Sequence, residues 1–190
     1  LTGKTDREEE ALLVRANNRT YRSRGIQTRA EYRFNLNEFF FDLEFGLRYH
    51  ADEEDRFQWD DSYSMKNKKM VLFMEGIHGT NANRVTSANA LAGYLLAKLR
   101  YDAWTVTAGL RYEDVDLLKK DYTKEDLARS GKVRIETPNH ARVLIPGVGL
   151  HYQLMPAASV FFGIHKGFAP PSAELYQKPE SSVNMELGTR

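Results

Sequence analysis

The sequence contains no cysteine, and its basic and acidic residues nearly balance, giving a net charge of +1. The absence of cysteine excludes a disulfide framework and a thiolate metal site. The balanced charge gives no general attraction to nucleic acid, which we do not expect as a partner. No apolar run approaches the roughly 18 to 20 residues that a membrane-spanning helix needs. These absences leave a soluble domain, or a barrel that crosses a membrane with alternating strands and keeps a low mean hydropathy.

Alternating apolar and polar residues are the strongest pattern in the chain. In the stretch EFFFDLEFGLRYH, apolar residues occupy every second position from Phe39 to Tyr49, and Asp42, Glu44 and Arg48 lie between them. Period two predicts an extended strand with one apolar face. Six further stretches alternate in the same way, at residues 26–34, 91–101, 104–113, 143–152, 159–165 and 183–190. The seven apolar faces hold no charged residue, whereas the opposite faces hold a dozen.

The connections between the predicted strands alternate in length. Short turns are predicted at residues 35–37, 102–103 and 153–157, long polar loops at 51–87 and 114–140, and a medium connection at 167–182. Tight turns at one end and long extracellular loops at the other are typical of outer-membrane barrels. A compact soluble sandwich rarely has connections longer than about 15 residues.

Aromatic residues on the apolar faces fall into two groups. Tyr49 and Tyr112 lie near the predicted long loops, and the other group lies near the short turns: Tyr32, Phe34, Phe39, Phe41, Tyr101, Trp104 and Tyr152. Two aromatic belts with aliphatic residues between them match the two interfaces of a bilayer. We therefore predict an all-β fold, an antiparallel transmembrane β-barrel wall segment of about seven strands with long extracellular loops. The alternative is a soluble β-sandwich, in which Phe45 and Leu95 would be buried.

One residue interrupts this pattern. Pro146 lies inside a predicted strand, where it has no N–H for the ladder, and it predicts a bulge or a local gap in pairing.

Three segments carry a resemblance to a known family. EEDRFQWDDSYSM (53–65), NRVTSANALAGYLLAKLRYDAWTVTAGLRYEDV (83–115) and GFAPPSAELYQKPESSVNMELGTR (167–190) resemble the middle strands of TonB-dependent outer-membrane receptors of the ferric dicitrate and siderophore type. The resemblance implies a barrel of about 22 strands with a plugged lumen. Since the chain begins at Leu1 without an initiator methionine, we expect a piece of such a receptor. Residues 22–190 would be barrel wall without the plug and terminal strands, and residues 1–21 a charged loop or a short helix capped by Asp6.

The resemblance also implies a function. The whole receptor would bind a ferric siderophore or ferric citrate and import it with energy supplied by TonB, which contacts the plug region. The ferric chelate is the transported ligand, no cofactor is implied, and the surroundings are the bilayer and lipopolysaccharide of the bacterial outer membrane. The alternative function is a passive porin-like or surface-interaction barrel.

The residues themselves give little sign of catalysis or metal binding. No nucleophile or zinc motif occurs, and the nearest mixture is Ser159 with His151 or His165, so we do not predict an enzyme. The acidic cluster at residues 52–61 lacks the spacing of a calcium loop. We interpret it as a solvated loop, or one bridged to lipopolysaccharide by divalent ions.

Arginines are the predicted ligand-binding residues. A receptor for anionic ferric chelates needs planar guanidinium groups that hold carboxylates two at a time. Arg84 is the preferred residue because it precedes a predicted strand, and the others are Arg48, Arg56 and Arg111. For Arg48 and Arg111 the alternative is structural, a pairing with lumen carboxylates such as Glu44 and Glu113.

Overall fold

The computed structural model describes residues 12–124, 126–131, 133–173 and 177–190. It contains eight strands: β1 (Leu12–Leu36), β2 (Phe39–Lys66), β3 (Lys69–Met74), β4 (Ala82–Tyr101), β5 (Trp104–Asp121), β6 (Ile135–Met155), β7 (Ala158–Ala169) and β8 (Glu180–Thr189). They form one sheet in the order β1-β2-β4-β5-β6-β7-β8, and β3 pairs with β2. The predicted all-β antiparallel wall segment is confirmed. Within the described ranges, no helix has the length and apolar character needed to cross a membrane.

Several strands are longer than the pattern predicts. The loop or helix predicted for residues 1–21 is wrong for residues 12–21, which belong to β1, and residues 1–11, including Asp6, lie outside the described part of the chain. The prediction of a loop at residues 51–87 is also wrong, because β2 continues through most of the first half of this segment and the chain then turns back as β3. The strand β3 is the one that the sequence pattern did not predict. Likewise β5 and β6 extend into the predicted loop at 114–140, and β7 and β8 into the connection at 167–182. Ladder hydrogen bonds join main-chain groups, so β2 can continue through residues 52–56, which are charged on both faces and interrupt the alternation.

The chain divides into two compact units. Unit 1 consists of Leu1–Arg22, Asp52–Ser87 and Leu118–Thr137, and unit 2 consists of Ser23–Ala51, Ala88–Leu117 and Pro138–Arg190.

Unit 2 contains the alternating faces predicted from the sequence. The strand register places Val148, Ile164 and Met185 side by side on β6, β7 and β8, and Leu150 lies in the same way beside Phe162 and Leu187. Both rows consist of residues that alternation had placed on the apolar face. Phe45, Leu95 and Val148 remain 52%, 53% and 45% exposed, so no second layer covers them, and the alternative of a β-sandwich is wrong.

The predicted aromatic belt near the short turns forms contacts between rings. Phe34 stacks on Phe41 with 4.7 Å between centroids, and Phe39 stacks on Tyr101 at 4.5 Å. The two remaining pairs are Tyr32 with Phe34 and Trp104 with Tyr152, so all seven predicted belt residues take part. Such offset contacts add about 0.5–1.5 kcal/mol each to the area they bury.

Near the other predicted belt, Tyr49 and Tyr112 direct their hydroxyl groups at polar partners. Tyr49 donates to Asn89 Oδ1 at 3.2 Å, and Tyr112 donates to Asp114 Oδ2 at 3.1 Å. An apolar ring with a hydrogen-bonded hydroxyl suits the boundary between an apolar and a polar medium.

The polar face of unit 2 is a lattice of ion pairs. Asp42 accepts from Arg100 at 3.0 Å and lies 3.4 Å from Arg33, while Glu44 accepts a 2.6 Å hydrogen bond from the Tyr94 hydroxyl. Charges that alternate in sign across neighbouring strands neutralise one another, as a polar barrel interior requires.

The short turns and Pro146 behave as predicted, with small shifts of boundary. Two-residue turns connect β1 to β2, β4 to β5 and β6 to β7, and Asn37 and Asp102 adopt φ values of 55° and 48°, which asparagine and aspartate tolerate. The β6–β7 ladder ends at the pair Gly147–His165, directly beside Pro146, which confirms the predicted gap in pairing.

Candidate ligand-binding site

The acidic cluster of residues 52–61 lies on β2 in unit 1 and not in a loop. Alternation along a strand separates its side chains onto two faces. Each of four carboxylates meets an arginine: Asp60 with Arg15 (2.8 Å), Glu54 with Arg56 (2.8 Å), Glu53 with Arg22 (3.3 Å) and Asp55 with Arg129 (2.6 Å). The cluster is therefore a set of ion pairs, which favours a structural interpretation over a calcium site.

Arg129 is the central residue of unit 1. Its two terminal nitrogens each donate to one oxygen of Asp55 at 2.6 Å, and its Nε donates to Asn83 Oδ1 at 2.7 Å. The guanidinium carbon also lies 5.8 Å from the centre of the Phe57 ring and 5.3 Å from that of Tyr122. Bidentate pairing and cation–π contact both use the planar shape of arginine, so this position is specific for arginine over lysine.

Asn83 continues this network on the neighbouring strand. Its side-chain NH2 group donates to the main-chain carbonyl oxygens of Thr123 and Asp126 at 2.9 and 3.0 Å. The main-chain carbonyl oxygen of Asn83 accepts from the Tyr122 N–H at 2.9 Å. Asn83 is 5% exposed, and these bonds satisfy its buried polar groups. The start of β4, including Arg84, is thereby held in place.

Three rings cluster on the same unit. Trp59 stacks on His78 with centroids 4.0 Å apart, and Phe57 meets both rings edge-on. Gly79 follows with φ of +79°, and a Cβ there would lie 2.9 Å from the Phe57 ring, so only glycine lets the chain pass this close. These rings offer an aromatic surface beside the arginine network.

A polar cavity of about 370 Å³ lies next to Arg129. Its lining includes Arg19, Asp55 and Phe57, together with Leu127 and Ala128. Arg19 is only weakly paired, at 3.8 Å from Glu54, and keeps a side-chain exposure of 34%. The volume lies in the usual range of about 300–1,000 Å³ for small-ligand pockets.

The four predicted arginines are placed differently. Arg56 donates to Glu54, and Arg111 donates to Glu113 at 2.6 Å, which is the pairing that the structural alternative predicts for Arg111. Arg48 is exposed and lines a cavity of about 240 Å³ with Arg24 and Ser23. Arg56 and Arg84 belong to unit 1, and Arg48 and Arg111 belong to unit 2.

Arg84 has a buried guanidinium nitrogen without a hydrogen-bond partner. The residue is half-buried on β4, and this nitrogen is its Nε. No carboxylate in the described ranges pairs with it. A buried unsatisfied donor is costly unless a partner arrives, and a bound anion would be such a partner.

Arg129 was missed by the reading of the sequence. It lies 74 residues from Asp55 along the chain. Its segment, DLARSGK, carries no motif that distinguishes this arginine from the others.

Ser159 and the two histidines do not form a catalytic set. Ser159 is buried on β7, and the cross-strand partner of His151 is Phe161, two residues further along that strand. His165 is six residues from Ser159, a distance of about 20 Å in an extended strand. A nucleophile and its base must lie within hydrogen-bonding distance.

One group of side chains has the spacing of a metal site. Ligand atoms of Asp114, Asp116 and His140 lie within 4.8 Å of one another. Arg142 donates to Asp114 Oδ2 at 2.8 Å, and His140 Nδ1 lies 2.6 Å from Asp116 Oδ1. Because these side chains already satisfy one another, we assign no metal to them.

A pH-dependent turn lies near Arg129. Asp126 accepts from the Gly131 N–H at 2.7 Å and the Ser130 N–H at 2.9 Å, and these bonds, the first above all, hold the pKa of its carboxyl below the usual 3.8. The stabilisation is present in full above the ordinary value and is lost as pH falls through the lowered one. We expect the Gly131 amide proton resonance to titrate below pH 3.8. Titration at or above that value would contradict the assignment, and Asp126→Asn should abolish the transition.

The sheet and its two faces define the class of protein as an antiparallel β-barrel wall. The chain belongs to the family described as TonB dependent receptor-like, beta-barrel, which matches residues 3–190. Comparison with curated protein sequences gave no match.

Two solved structures are similar in fold. The ferric citrate transporter FecA in the unliganded form has a TM-score of 0.73 and 18% identity, over 94% of this chain and 26% of FecA. The siderophore receptor PiuA from Acinetobacter baumannii has a TM-score of 0.67 and 13% identity, over 93% of this chain and 30% of PiuA. This chain therefore spans less than a third of the length of either protein.

Proposed function

We propose that this chain forms part of an outer-membrane receptor that binds a ferric chelate of the siderophore or ferric citrate type and imports it with energy supplied by TonB. Family membership supports a receptor over a passive porin-like barrel. The names of FecA and PiuA support an iron chelate as the ligand. The exposed apolar face of unit 2, with aromatic rings near both ends of its strands, supports placement in a bilayer.

The observation that carries the choice of ligand is the unsatisfied Nε of Arg84. In the same unit Arg15, Arg22, Arg56 and Arg129 each reach a carboxylate. Asn83, the preceding residue, makes four hydrogen bonds, three of them through its side chain, and these hold the start of β4. Arg84 is half-buried with its Nε enclosed, so the movement of its side chain is restricted before a ligand arrives. A preorganised cation loses little entropy when it binds an anion.

The chemistry of the ligand fits this arrangement. Ferric citrate and many ferric siderophores carry carboxylates or other anionic oxygens, which a guanidinium group holds by charge-assisted hydrogen bonds. The rings of Phe57, Trp59 and His78 provide apolar contact area beside the charged groups. Binding of this kind needs no covalent step.

Substitution of Arg84 tests the proposal directly. In the receptor expressed from its complete gene, Arg84→Ala should weaken binding of the preferred ferric chelate about tenfold to a hundredfold, because a hydrogen bond to a charged group contributes about 1.5–3 kcal/mol. Isothermal titration with a panel of ferric citrate, hydroxamate and catecholate complexes gives both the preference and the affinity.

Arg22→Ala is the matched control, since it removes one positive charge from an exposed pair, with 78% of the Arg22 side chain exposed. Its binding should be unchanged. If no ferric complex binds more tightly than citrate without iron, the proposed substrate class is wrong. If Arg84→Ala binds like the control, Arg84 is not a ligand residue.

A further inference from the structure

The β2–β3 hairpin of unit 1 presents an apolar strand with a free edge. Each residue from Met70 to Met74 is between 41% and 59% exposed. The strand β3 pairs with β2, and no other strand in the described ranges pairs with it. The run from Met70 to Met74 contains no proline and no charge. A strand edge of this composition is a template for pairing with another chain.

The hydrogen-bond pattern of the hairpin shows which main-chain groups the free edge offers. Lys66 and Lys69 flank a two-residue turn whose φ values are both positive, and such a turn joins a hydrogen-bonded pair of residues. Hydrogen-bonded and non-hydrogen-bonded pairs alternate along an antiparallel ladder. Met70 and Leu72 are therefore not hydrogen-bonded to β2, and their N–H and C=O groups point outward at the free edge.

The two ends of β3 carry opposite charges. Lys69 lies directly opposite Lys66, an arrangement of like charges that destabilises a ladder, and no ion pair of Lys69 occurs in the described part of the chain. At the other end, Glu75 lies 3.5 Å from His78 Nε2 and keeps a side-chain exposure of 71%. A strand that pairs antiparallel with β3 should therefore bring an acidic residue to Lys69 and a basic residue to Glu75.

The sequence of β3 itself meets this requirement. When two copies of β3 run antiparallel with Leu72 opposite Leu72, Lys69 of each copy comes opposite Glu75 of the other, and Met70 comes opposite Met74. Residues that face each other then point to the same side of the sheet, as an antiparallel ladder requires. The two Leu72 residues exchange their outward N–H and C=O groups.

We propose that two copies of this chain associate through the free edges of β3 and form one continuous sheet with a two-fold axis at Leu72. The occupant of the edge is a second copy because the charges at the two ends of β3 complement each other only in this antiparallel arrangement. Two six-residue strands give a small interface, which is typical of weak association.

The symmetry of the pair sets its position in a membrane. A two-fold axis that relates antiparallel strands is perpendicular to their sheet, and for receptors in one membrane it runs along the membrane normal. The hairpins therefore pair there when bent toward the membrane plane. Between the pairs Tyr63–Leu72 and Ser62–Met74, β3 has one residue more than β2, and a strand bends at such a bulge.

Exchange of the end charges tests the pairing. In the complete receptor purified in detergent, sedimentation equilibrium should show a monomer–dimer equilibrium, and Lys69→Glu or Glu75→Lys should each weaken the dimer about tenfold. The variant that carries both substitutions restores the ion pairs and should return to within about threefold of the wild type. Lys178→Glu is the matched control, because Lys178 is an exposed lysine of unit 2, and it should dimerise like the wild type.

A disulfide tests the register in the membrane. The chain has no cysteine, and opposite residues of a hydrogen-bonded pair have Cα atoms about 5.5 Å apart, within reach of a disulfide. Mild oxidation of cells that carry the complete receptor with Leu72→Cys should therefore give a cross-linked dimer. Phe73→Cys is the matched control, because Phe73 is similarly exposed, at 48% against 50%, but comes opposite Val71 of the partner copy; it should cross-link at least tenfold less.

Each result supports or overturns the pairing. Absence of the Leu72→Cys dimer, or equal cross-linking at position 73, overturns it. Single charge variants that dimerise like the wild type, or a double variant as weak as the single ones, overturn it as well. Ferric chelate titration of the same preparations separates this proposal from the preceding one: chelate binding by a receptor that stays monomeric rejects the pairing alone, and a dimer that binds no chelate rejects the transported ligand alone.

Discussion

Replacing Arg129 with alanine is expected to release the loop residues of unit 1 from β2 and β4. The substitution removes two bonds to Asp55, one to Asn83 and one to the Arg56 carbonyl oxygen, as well as both cation–π contacts. Breaking a buried pair costs about 3–5 kcal/mol. Because Asp55 keeps a side-chain exposure of 37%, we expect a lower cost, about 2–3 kcal/mol.

Hydrogen exchange measures this loss locally. The Tyr122 amide, bonded to the Asn83 carbonyl oxygen, should exchange roughly thirtyfold to a hundredfold faster in Arg129→Ala than in the wild type. Arg129→Lys keeps the positive charge but loses the planar guanidinium group that bonds both oxygens of Asp55. The exchange rate of the Tyr122 amide in this variant should lie between those of the wild type and Arg129→Ala. Arg22→Ala, which breaks an exposed pair worth under about 1 kcal/mol, should leave this amide unchanged. Equal exchange in all three variants would show that Arg129 does not hold the segment.

The two faces of the sheet could be predicted from the sequence because apolar and polar side chains alternate along the strands. A face that meets an apolar medium excludes charge at every second residue, and the register of β6, β7 and β8 confirms that assignment row by row. The ring pairs of the short-turn belt followed from the same faces, since neighbouring strands bring residues of like depth together. Pro146 was predictable for a covalent reason, its missing N–H.

The strand extensions could not be predicted in this way. The segment from Asp52 to Lys66 begins with five charged residues that lie on both faces, and this run hid the continuation of β2. Aromatic and apolar residues alternate after it, at Phe57, Trp59, Tyr63 and Met65, but Asp61 interrupts their row. The turn at Asn67 and Lys68, with φ of 50° and 64°, reverses the chain into β3. Such a turn suits a β-hairpin, but it carries an asparagine followed by lysine and lacks the usual asparagine–glycine pair.

The site shows the same limit at the level of single residues. The charge expected of the ligand led to the prediction of arginines as ligand-binding residues, and among the four predicted arginines Arg84 is the one with a buried Nε that has no hydrogen-bond partner. The partner that organises the unit, Arg129, depends on a contact between segments far apart in the chain, and no local spacing encodes it. The fold decides which arginines form ion pairs with carboxylates. An arginine without such a partner is the one that the proposed ligand could bind.

Substitution of Gly46 by valine is expected to have the second large effect, on the stability of unit 2. Gly46 is buried on β2 beneath the ring of Tyr94, and a Cβ there would lie 2.8 Å from the Tyr94 Cζ and nearer still to the Tyr94 Cε1. The ring cannot simply swing aside, because its hydroxyl donates to Glu44 at 2.6 Å. An aromatic ring covering a glycine on a neighbouring strand is a known way to fill the space that glycine leaves in a sheet.

Overpacking of this kind costs about 1–3 kcal/mol. Gly163→Val is the matched control, since Gly163 lies on the polar face of the same unit and a Cβ there meets nothing within 4 Å. Urea unfolding of the complete receptor should show the loss for Gly46→Val and a change within about 0.5 kcal/mol for Gly163→Val. In a Tyr94→Ala background the cost of Gly46→Val should fall by about 1 kcal/mol or more, because the clash is removed. If the cost is the same with and without the Tyr94 ring, the destabilisation comes from the backbone of β2, and the packing of Tyr94 on Gly46 does not explain why glycine occupies this position.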